Sequence, residues 1–152
     1  MKNNSKIIRA NDYSWDGVER KQYKTDGTVF RDIERYSLLG EGDGELELNC
    51  QTRYFEVKPG GYSSLEYHRH PHSVVIIRGK GSMVLGDEVH ELNLHDVVYV
   101  SPGTLHQFHA DRGEPLGFLC VVDRYRDKPS VPTREQVNVW LGDSDAGKKA
   151  RV

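Results

Sequence analysis

Turns that contain glycine or proline recur at short intervals through the middle of the chain and limit the length of every segment between them. These turns are KPGG (58–61), RGKG (78–81), LGDE (85–88), SPGT (101–104) and RGEP (112–115). The intervening segments are rich in β-branched and aromatic residues, and several alternate apolar with polar side chains. Short strands at this even spacing predict an all-β sandwich or barrel, with a hairpin around Gly86 and Asp87.

The whole chain is predicted to form a single domain in three parts. Residues 1–40 are expected to be an irregular arm with edge strands, residues 41–125 the β-barrel, and residues 126–152 one short helix and a disordered tail. The helix is predicted within PTREQVNVWL (132–141). There, Thr133 and Gln136 have the spacing of a capping box, and Val137, Trp140 and Leu141 form an apolar face.

Composition and charge argue against several classes of function. Charged residues make up 29% of the 152 residues, and the net charge of −2 comes from interspersed signs, so no basic surface indicates nucleic acid binding. The sequence has no apolar run long enough for a membrane span and no signal peptide, so we expect a cytoplasmic protein without a membrane partner. Cys50 and Cys120 lack CxxC spacing and are interpreted as free thiols.

Three histidines occupy alternate positions in EYHRHPHSVV (66–75). In an extended strand, His68, His70 and His72 point the same way, and imidazole is a common ligand for transition metals. Pro71 lacks a backbone N–H and predicts a bend before His72. On this stretch alone, a metal site and a solvated histidine-rich turn both remain open.

A fourth histidine, His106, follows the Pro-Gly turn of LHDVVYVSPGTLHQF (94–108). It could meet the other three only in a closed or nearly closed sheet, which a barrel provides. His90, His95 and His109 have no partner pattern and are interpreted as surface or turn residues. Gln107, next to His106, is expected to point outward because side chains alternate along a strand.

The middle of the chain resembles the cupin superfamily, whose small β-barrels (double-stranded β-helix or jelly-roll folds) carry two motifs. The first, G-x5-H-x-H-x3,4-E-x6-G, is matched by a glycine at 60 or 61, by His68 and His70, and by Gly79, with slightly longer initial spacing. The second, G-x5-P-x-G-x2-H-x3-N, is matched by SPGTLH (101–106), with His106 as its histidine ligand. The resemblance spans about residues 55–122 and implies a barrel with a metal site.

Three departures from the family pattern concern the ligands and the turns. His72 stands where the family has its glutamate, His95 replaces the leading glycine of the second motif, and its proline is shifted to Pro102. The resemblance then implies one divalent transition metal (Fe, Ni, Zn, Mn or Cu) held by His68, His70, His72 and His106. Because four neutral ligands leave the charge of the metal uncompensated, we expect an anionic small-molecule substrate.

Further candidate residues follow from strand parity. Glu66 shares the parity of His68 and is a candidate general base or hydrogen-bond acceptor for a ligand, although a solvated glutamate has the same sequence pattern. The predicted substrate-binding residues are Tyr62, Val74, Ile76 and Phe108. Arg53, Arg78 and Tyr99 have either substrate-contacting or structural interpretations.

The resemblance implies a metal-dependent enzyme acting on a small carbonyl, enol or phenolic substrate. The four histidines and the expected apolar pocket favour an oxygenase, while an isomerase, decarboxylase or lyase has the same requirements. A non-enzymatic metabolite- or sugar-binding barrel and a structural barrel with vestigial histidines also remain open. The family further implies a homodimer, for which the aromatic residues of the N-terminal arm, Trp15, Tyr23, Phe30 and Tyr36, could supply the contact.

Overall fold

The computed structural model describes residues 4–24 and 28–152; residues 1–3 and 25–27, which belong to the predicted arm, lie outside the described residues. The strands are β1 (Ala10–Asn11), β2 (Ser14–Trp15), β3 (Arg20–Gln22), β4 (Arg31–Leu39), β5 (Cys50–Tyr62), β6 (His72–Gly79), β7 (Gly81–Leu85), β8 (Glu88–Leu92), β9 (Val97–Val100), β10 (His106–Ala110) and β11 (Leu116–Asp123). The helices are α1 (Arg134–Leu141), α2 (Asp145–Lys149) and a single 3-10 turn at Asp43–Glu45.

Strands β3 to β11 form one antiparallel sheet that curls around an apolar core. The order is β8-β7-β10-β5-β11-β6-β9, and β4 pairs with β5 and carries β3 on its other side. The thirteen-residue strand β5 is long enough to pair with β4, β10 and β11. The predicted all-β barrel class is confirmed.

The apolar core lies on the concave face of the curled sheet, where every second residue of the long strands is buried. Val74 and Ile76 of β6 are fully buried in it. Three aromatic rings stack in sequence, with centroid distances of 5.4 Å between Phe55 and Phe118 and 4.3 Å between Phe118 and Phe108. Such aromatic pairs contribute about 0.5–1.5 kcal/mol beyond the area that they bury.

Two turns show what backbone conformation the glycine positions of the family motifs require. Gly79 has φ 61°, and a Cβ atom there would overlap the carbonyl of Pro115, so only glycine fits between β6 and β7. His95, at the position of the missing glycine, also has a left-handed φ of 74°, and its N–H donates to the Ile76 carbonyl over 2.8 Å. The turn is therefore kept without glycine. The hairpin predicted around Gly86 is confirmed, with Leu85 opposite Glu88.

The C-terminal segment packs against the outside of the sheet. The predicted helix is confirmed as α1, with both hydrogen bonds of the Thr133–Gln136 capping box. The disordered tail predicted for residues 142–152 is wrong, because Ser144 caps a second helix whose Ala146 is buried, as is Ala150 just after it. These small side chains allow close approach to an apolar cluster that contains Leu65, Val84, Leu105, Val137 and Leu141.

The N-terminal segment lies against its own barrel. The Trp15 ring lies 4.9 Å from that of Tyr54, and the Tyr23 ring lies 5.2 Å from Phe30 and 5.8 Å from Phe55. The homodimer contact predicted for these aromatic residues stays a prediction. Among the described residues, none of the helices has the length and apolar character that crossing a bilayer requires.

Candidate metal centre

Three of the predicted ligands converge from separate parts of the chain. His68 lies in the irregular segment after β5, and His72 and His106 are the first residues of β6 and β10. Each offers a ligand atom, and these atoms lie within 4.8 Å of one another. The segment of His68 is fixed beside β10 because the N–H and carbonyl of Glu66 both bond with His106, at 3.1 and 2.9 Å.

The hydrogen bonds of the rings leave the same nitrogen free in each case. Nδ1 of His68 lies 2.7 Å from the His70 carbonyl, and Nδ1 of His106 lies 2.9 Å from the Thr104 carbonyl, which assigns the proton to Nδ1 in both rings. Nδ1 of His72 lies 3.5 Å from the Cys120 sulfur. The Nε2 atoms of all three are buried without a hydrogen-bond partner. Buried orphan nitrogens of this kind fit a metal ion, which would satisfy them.

Burial keeps these histidines neutral. It lowers the pKa of His68 to about 4, with a further contribution from repulsion by His106 and His70. The pKa values of His72 and His106 are also lowered, chiefly by burial, with repulsion from His106 adding to the effect on His72. Neutral imidazole is the form that binds metals, so the cluster is in its ligating form near neutral pH.

His70 stands beside this group and is oriented by a carboxylate. Its ring stacks on that of His68 with a centroid distance of 3.6 Å, and its Nδ1 lies 2.8 Å from Oδ1 of Asp127. Asp127 also accepts the backbone N–H groups of Arg69 and His70 at 2.9 and 3.0 Å. Those hydrogen bonds lower the pKa of Asp127. A carboxylate on Nδ1 is the usual way in which proteins orient a ligating histidine.

Glu66 is buried and faces the cluster. Its Oε2 bonds with the Lys24 ammonium and accepts the Ser64 hydroxyl at 2.8 Å, while its Oε1 lies 4.0 Å from Nε2 of His106. Burial would raise the pKa of Glu66, but the charge of Lys24 and the hydrogen bonds from Lys24 and Ser64 outweigh it, and the pKa is lowered. The carboxylate is therefore ionised and has one oxygen directed towards the histidines.

His70, His72 and His106 form one side of a cavity of about 200 Å³, and His68 lies outside its lining. Phe108 contributes to its lining, as the sequence predicts. Val74 and Ile76 are fully buried in the apolar core and do not contribute to the lining. Tyr62 lies outside the lining and packs against His109 with a centroid distance of 5.8 Å.

Two residues on β10 differ from their sequence interpretation. Gln107 does point away from the cavity, but it is fully buried, since its amide donates to the carbonyls of Ser63 and Arg151 at 2.7 and 3.0 Å. His109 is buried beside it rather than exposed, with Nε2 lying 3.1 Å from the Gln107 side-chain oxygen. Both residues are buried because the C-terminal segment packs over this face of β10. His90 and His95 are exposed as predicted.

Other predicted residues have mainly structural contacts. Arg78 pairs with Glu56 at 2.7 Å and packs over the Tyr13 ring, and Tyr99 is exposed. Cys50 and Cys120 are free thiols, as predicted, and Cys120 lies in the cavity wall. Arg53 also lines the cavity.

Sequence reasoning missed four polar residues that the fold brings to the cavity or its ligands: Lys24, Arg35, Arg126 and Asp127. None lies near the histidine motif in sequence. Lys24 and Arg35 belong to the first 40 residues, and Arg126 and Asp127 belong to the loop after β11. The three cations stand in stretches with mixed charge, where a solvated surface is the ordinary interpretation. Only pairing with a long strand could have indicated that Arg35 faces inward.

Comparison with known proteins agrees with this architecture. The family profile described as "Cupin domain" matches residues 53–122. A 1-methylthio-D-xylulose 5-phosphate methylsulfurylase of Rhodospirillum rubrum is 41% identical over 132 residues, which cover 86% of this chain and 82% of that protein.

Two solved structures are similar over nearly the whole chain. A cupin 2 conserved barrel domain protein from Rhodopseudomonas palustris has a TM-score of 0.86 and 38% identity, covering 97% of this chain and 100% of that one. A cupin-2 domain from Rhodospirillum rubrum has a TM-score of 0.80 and 39% identity, covering 93% of each chain. With the motif turns and the buried histidines in place, this chain belongs to the cupin family.

Proposed function

We propose that this protein cleaves the carbon–sulfur bond of a methylthio-ketose phosphate, the type of substrate named for its relative of 41% identity. That identity, extending over 132 residues, is the observation that carries the proposal. The cavity supports it, because neutral histidines, an ionised carboxylate and several cations surround a space open to a small anion. A phosphate ester also meets the expectation of an anionic substrate.

The metal that the family implies would be held by His68, His72 and His106, with His70 as a fourth ligand. A divalent metal there would supply a Lewis acid next to a ketone oxygen. Asp127 would hold the His70 ring in place through Nδ1.

The position of sulfur beside a ketone decides how the bond breaks. Departure of methylthiolate with the electron pair would leave a carbocation next to a carbonyl, which is unfavourable. If the pair stays on carbon, it delocalises into the ketone as an enolate, a charge that the site can stabilise electrostatically. The sulfur must then be transferred to a nucleophile, and we propose a thiol.

The transfer balances with a thiol as the second substrate. The thiol sulfur bonds to the methylthio sulfur, the carbon–sulfur bond breaks, and its electron pair becomes that of the enolate. The thiol proton ends on the same carbon, so the products are a methyl mixed disulfide and a 1-deoxy-ketose phosphate. Glu66, with one oxygen directed towards the cluster, would accept this proton and return it to carbon.

The oxygenase favoured by the sequence stays a prediction, as do the isomerase, decarboxylase and lyase alternatives. A sugar- or metabolite-binding barrel differs from all of them in one respect, since it binds without turnover. The same experiment separates these classes.

The test is proton NMR of the metal-loaded protein in D2O with 1-methylthio-D-xylulose 5-phosphate and mercaptoethanol. We expect a new methyl group on the sugar that carries one deuterium, together with an equal amount of the mixed disulfide. Omission of the thiol should stop both products. The matched controls are Glu66→Gln, in which turnover should fall by about 100-fold or more, and the exposed Glu88→Gln, which should be unaffected.

Three outcomes would contradict the proposal. Oxygen consumption that accompanies product formation would indicate an oxygenase. A 1-deoxy product formed without any thiol would rule out transfer to a thiol. Saturable binding of the sugar phosphate with no product, under any of the five metals, would indicate a binding protein.

A further inference from the structure

We propose that Arg35, Arg53 and Arg126 form a subsite that binds the phosphate group of a phosphorylated ligand. The inference rests on the proposed function only in identifying this phosphate as that of the sugar substrate. The three arginines come from β4, from β5 and from the loop after β11, and all of them line the same cavity as His70, His72 and His106.

Arg53 is the strongest evidence of the three, because its guanidinium is buried and no carboxylate of the described residues pairs with it. The residue is 9% exposed, and its Nε has no hydrogen-bond partner. Its guanidinium donates to the Cys120 sulfur at 3.5 Å and lies 5.0 Å from the centre of the Phe55 ring. A buried cation is costly unless an anion compensates for it, so this arrangement indicates a ligand with negative charge.

Arg35 and Arg126 add two more cations with unused donors. The Nε of Arg35 is also buried and unpartnered. Arg126 donates to two neutral oxygens, that of the Gln51 side chain at 2.8 Å and that of the Asp123 backbone at 3.0 Å. Within residues 4–24 and 28–152, none of the three arginines forms an ion pair with a carboxylate. Burial, followed by repulsion from Arg53, lowers the pKa of Arg126.

Lys24, the fourth cation of the cavity, differs from the arginines. Its ammonium pairs with Glu66 and also donates to the Ser64 hydroxyl at 2.8 Å. Its charge is therefore compensated inside the protein. The positive charge that remains free belongs to the arginines, and they mark one part of the cavity as the anion-binding part.

This arginine group is separated from the histidine cluster by a single side chain. Cys120 contacts Arg53 on one side and Nδ1 of His72 on the other, at 3.5 Å each. A ligand that spans both groups must carry an anion at one end and an electron-rich oxygen a few bonds away. A ketose phosphate has that layout, with its phosphate and its ketone at opposite ends of a short chain.

Phosphate suits three guanidinium groups better than a carboxylate does. Each guanidinium presents donors in a planar fork that matches two oxygens, and a phosphate monoester offers three terminal oxygens and close to two negative charges. A carboxylate has two oxygens and one charge, and it would leave part of the group uncompensated. The ligand class is therefore a small phosphate monoester.

The test compares D-xylulose 5-phosphate with D-xylulose by titration calorimetry of the metal-loaded protein, and adds inorganic phosphate as a probe of the metal-free protein. We expect Arg126→Gln and Arg53→Gln each to weaken binding of D-xylulose 5-phosphate and of inorganic phosphate by about 10- to 100-fold. Binding of D-xylulose should change by less than about twofold. The exposed Arg112→Gln removes the same charge elsewhere and should behave as the wild type.

If Arg53→Gln does not fold, Arg126→Gln still tests the subsite, because Arg126 lies in the loop after β11 and is only half-buried. Unchanged phosphate affinity in Arg126→Gln would overturn the subsite. So would phosphate binding that needs His68 and His106 but neither arginine.

Failure of the subsite and failure of the proposed function give different results. If the methylthio sugar phosphate is turned over and Arg126→Gln leaves its KM unchanged, the subsite is wrong and the function stands. If no substrate is turned over but phosphate binding depends on the arginines, the proposed function is wrong and the subsite stands. If both hold, Arg126→Gln should raise KM by about 10-fold or more with little change in kcat.

Discussion

The two faces of β10 carry the same kinds of residue with opposite consequences. On the inner face, His106 has an orphan Nε2 in a cavity lined by charged groups. On the outer face, His109 and Gln107 are equally buried, but their polar atoms bond to each other and to the C-terminal segment. An orphan nitrogen that faces a cavity indicates a ligand, whereas a satisfied one indicates structure. Burial alone does not distinguish the two faces.

The largest expected effect is on the inner face. His106→Ala should reduce bound metal from about one equivalent to below about 0.1 after dialysis, measured by elemental analysis, because the site loses one of its converging nitrogens. Metal should then no longer raise the melting temperature. The exposed His90→Ala is the matched control and should keep the metal. Full metal content in His106→Ala would remove this residue from the ligand set.

A smaller effect on metal binding is expected from Asp127, which contacts the His70 ring but does not line the cavity. Asp127→Asn should lower metal affinity by about 10- to 100-fold in a competition titration with a chelator, because the His70 ring loses its charged acceptor. The nearby Asp123→Asn serves as a control. Affinity unchanged in Asp127→Asn would argue that His70 is not a ligand.

The outer face should affect stability and not metal binding. Gln107→Leu leaves the Ser63 carbonyl and the Arg151 N–H without their partner, at a cost of about 1–3 kcal/mol in the free energy of unfolding. Chemical denaturation measures this cost, and metal affinity should stay within about twofold of wild type. A metal defect as large as that of His106→Ala would contradict the division between the faces.

The smallest expected effect is the pH dependence due to His109. Burial, together with Lys149 and Arg151, lowers its pKa to about 3. Because the folded state disfavours the proton, its contribution to stability is complete above about pH 6.5 and is lost as the pH falls towards 3. From pH 6.5 to 5, the wild type should lose up to about 2 kcal/mol more than His109→Gln, measured by denaturation of metal-free protein. Equal losses in both proteins would show that His109 is not protonated on unfolding.

Much of the fold could be predicted because its signals are local. The turn at Gly86, the capping box of Thr133 and the alternation along β6 each depend on residues a few positions apart. The disorder predicted for residues 142–152 is wrong because the signals there are not local. Ala146 and Ala150 have no strong local pattern, and their burial depends on a distant surface.

The candidate site also has parts that the sequence predicted and parts that it did not. The resemblance to the cupin motifs implied His68, His70, His72 and His106 as ligands, whereas their spacing alone left a solvated histidine-rich turn open. The sequence did not indicate which atoms would be left without partners, nor that Asp127 would hold His70. Val74 and Ile76 share the ligands' parity, yet they lie in the core, because parity gives the side of a strand and not its depth.

By itself, the sequence determined the all-β class, the spacing of the histidines and most strand boundaries, because each follows from period, turn chemistry and spacing over short distances. The exception is KPGG (58–61), which was predicted as a turn and lies inside β5. Only the tertiary structure decided what surrounds the motif. Arg35, Arg53 and Arg126 are far apart in the chain, and they meet because β4 and β11 both pair with β5. A cluster of like charges has no local sequence pattern, so its position emerges only when the sheet curls and brings distant residues to one cavity.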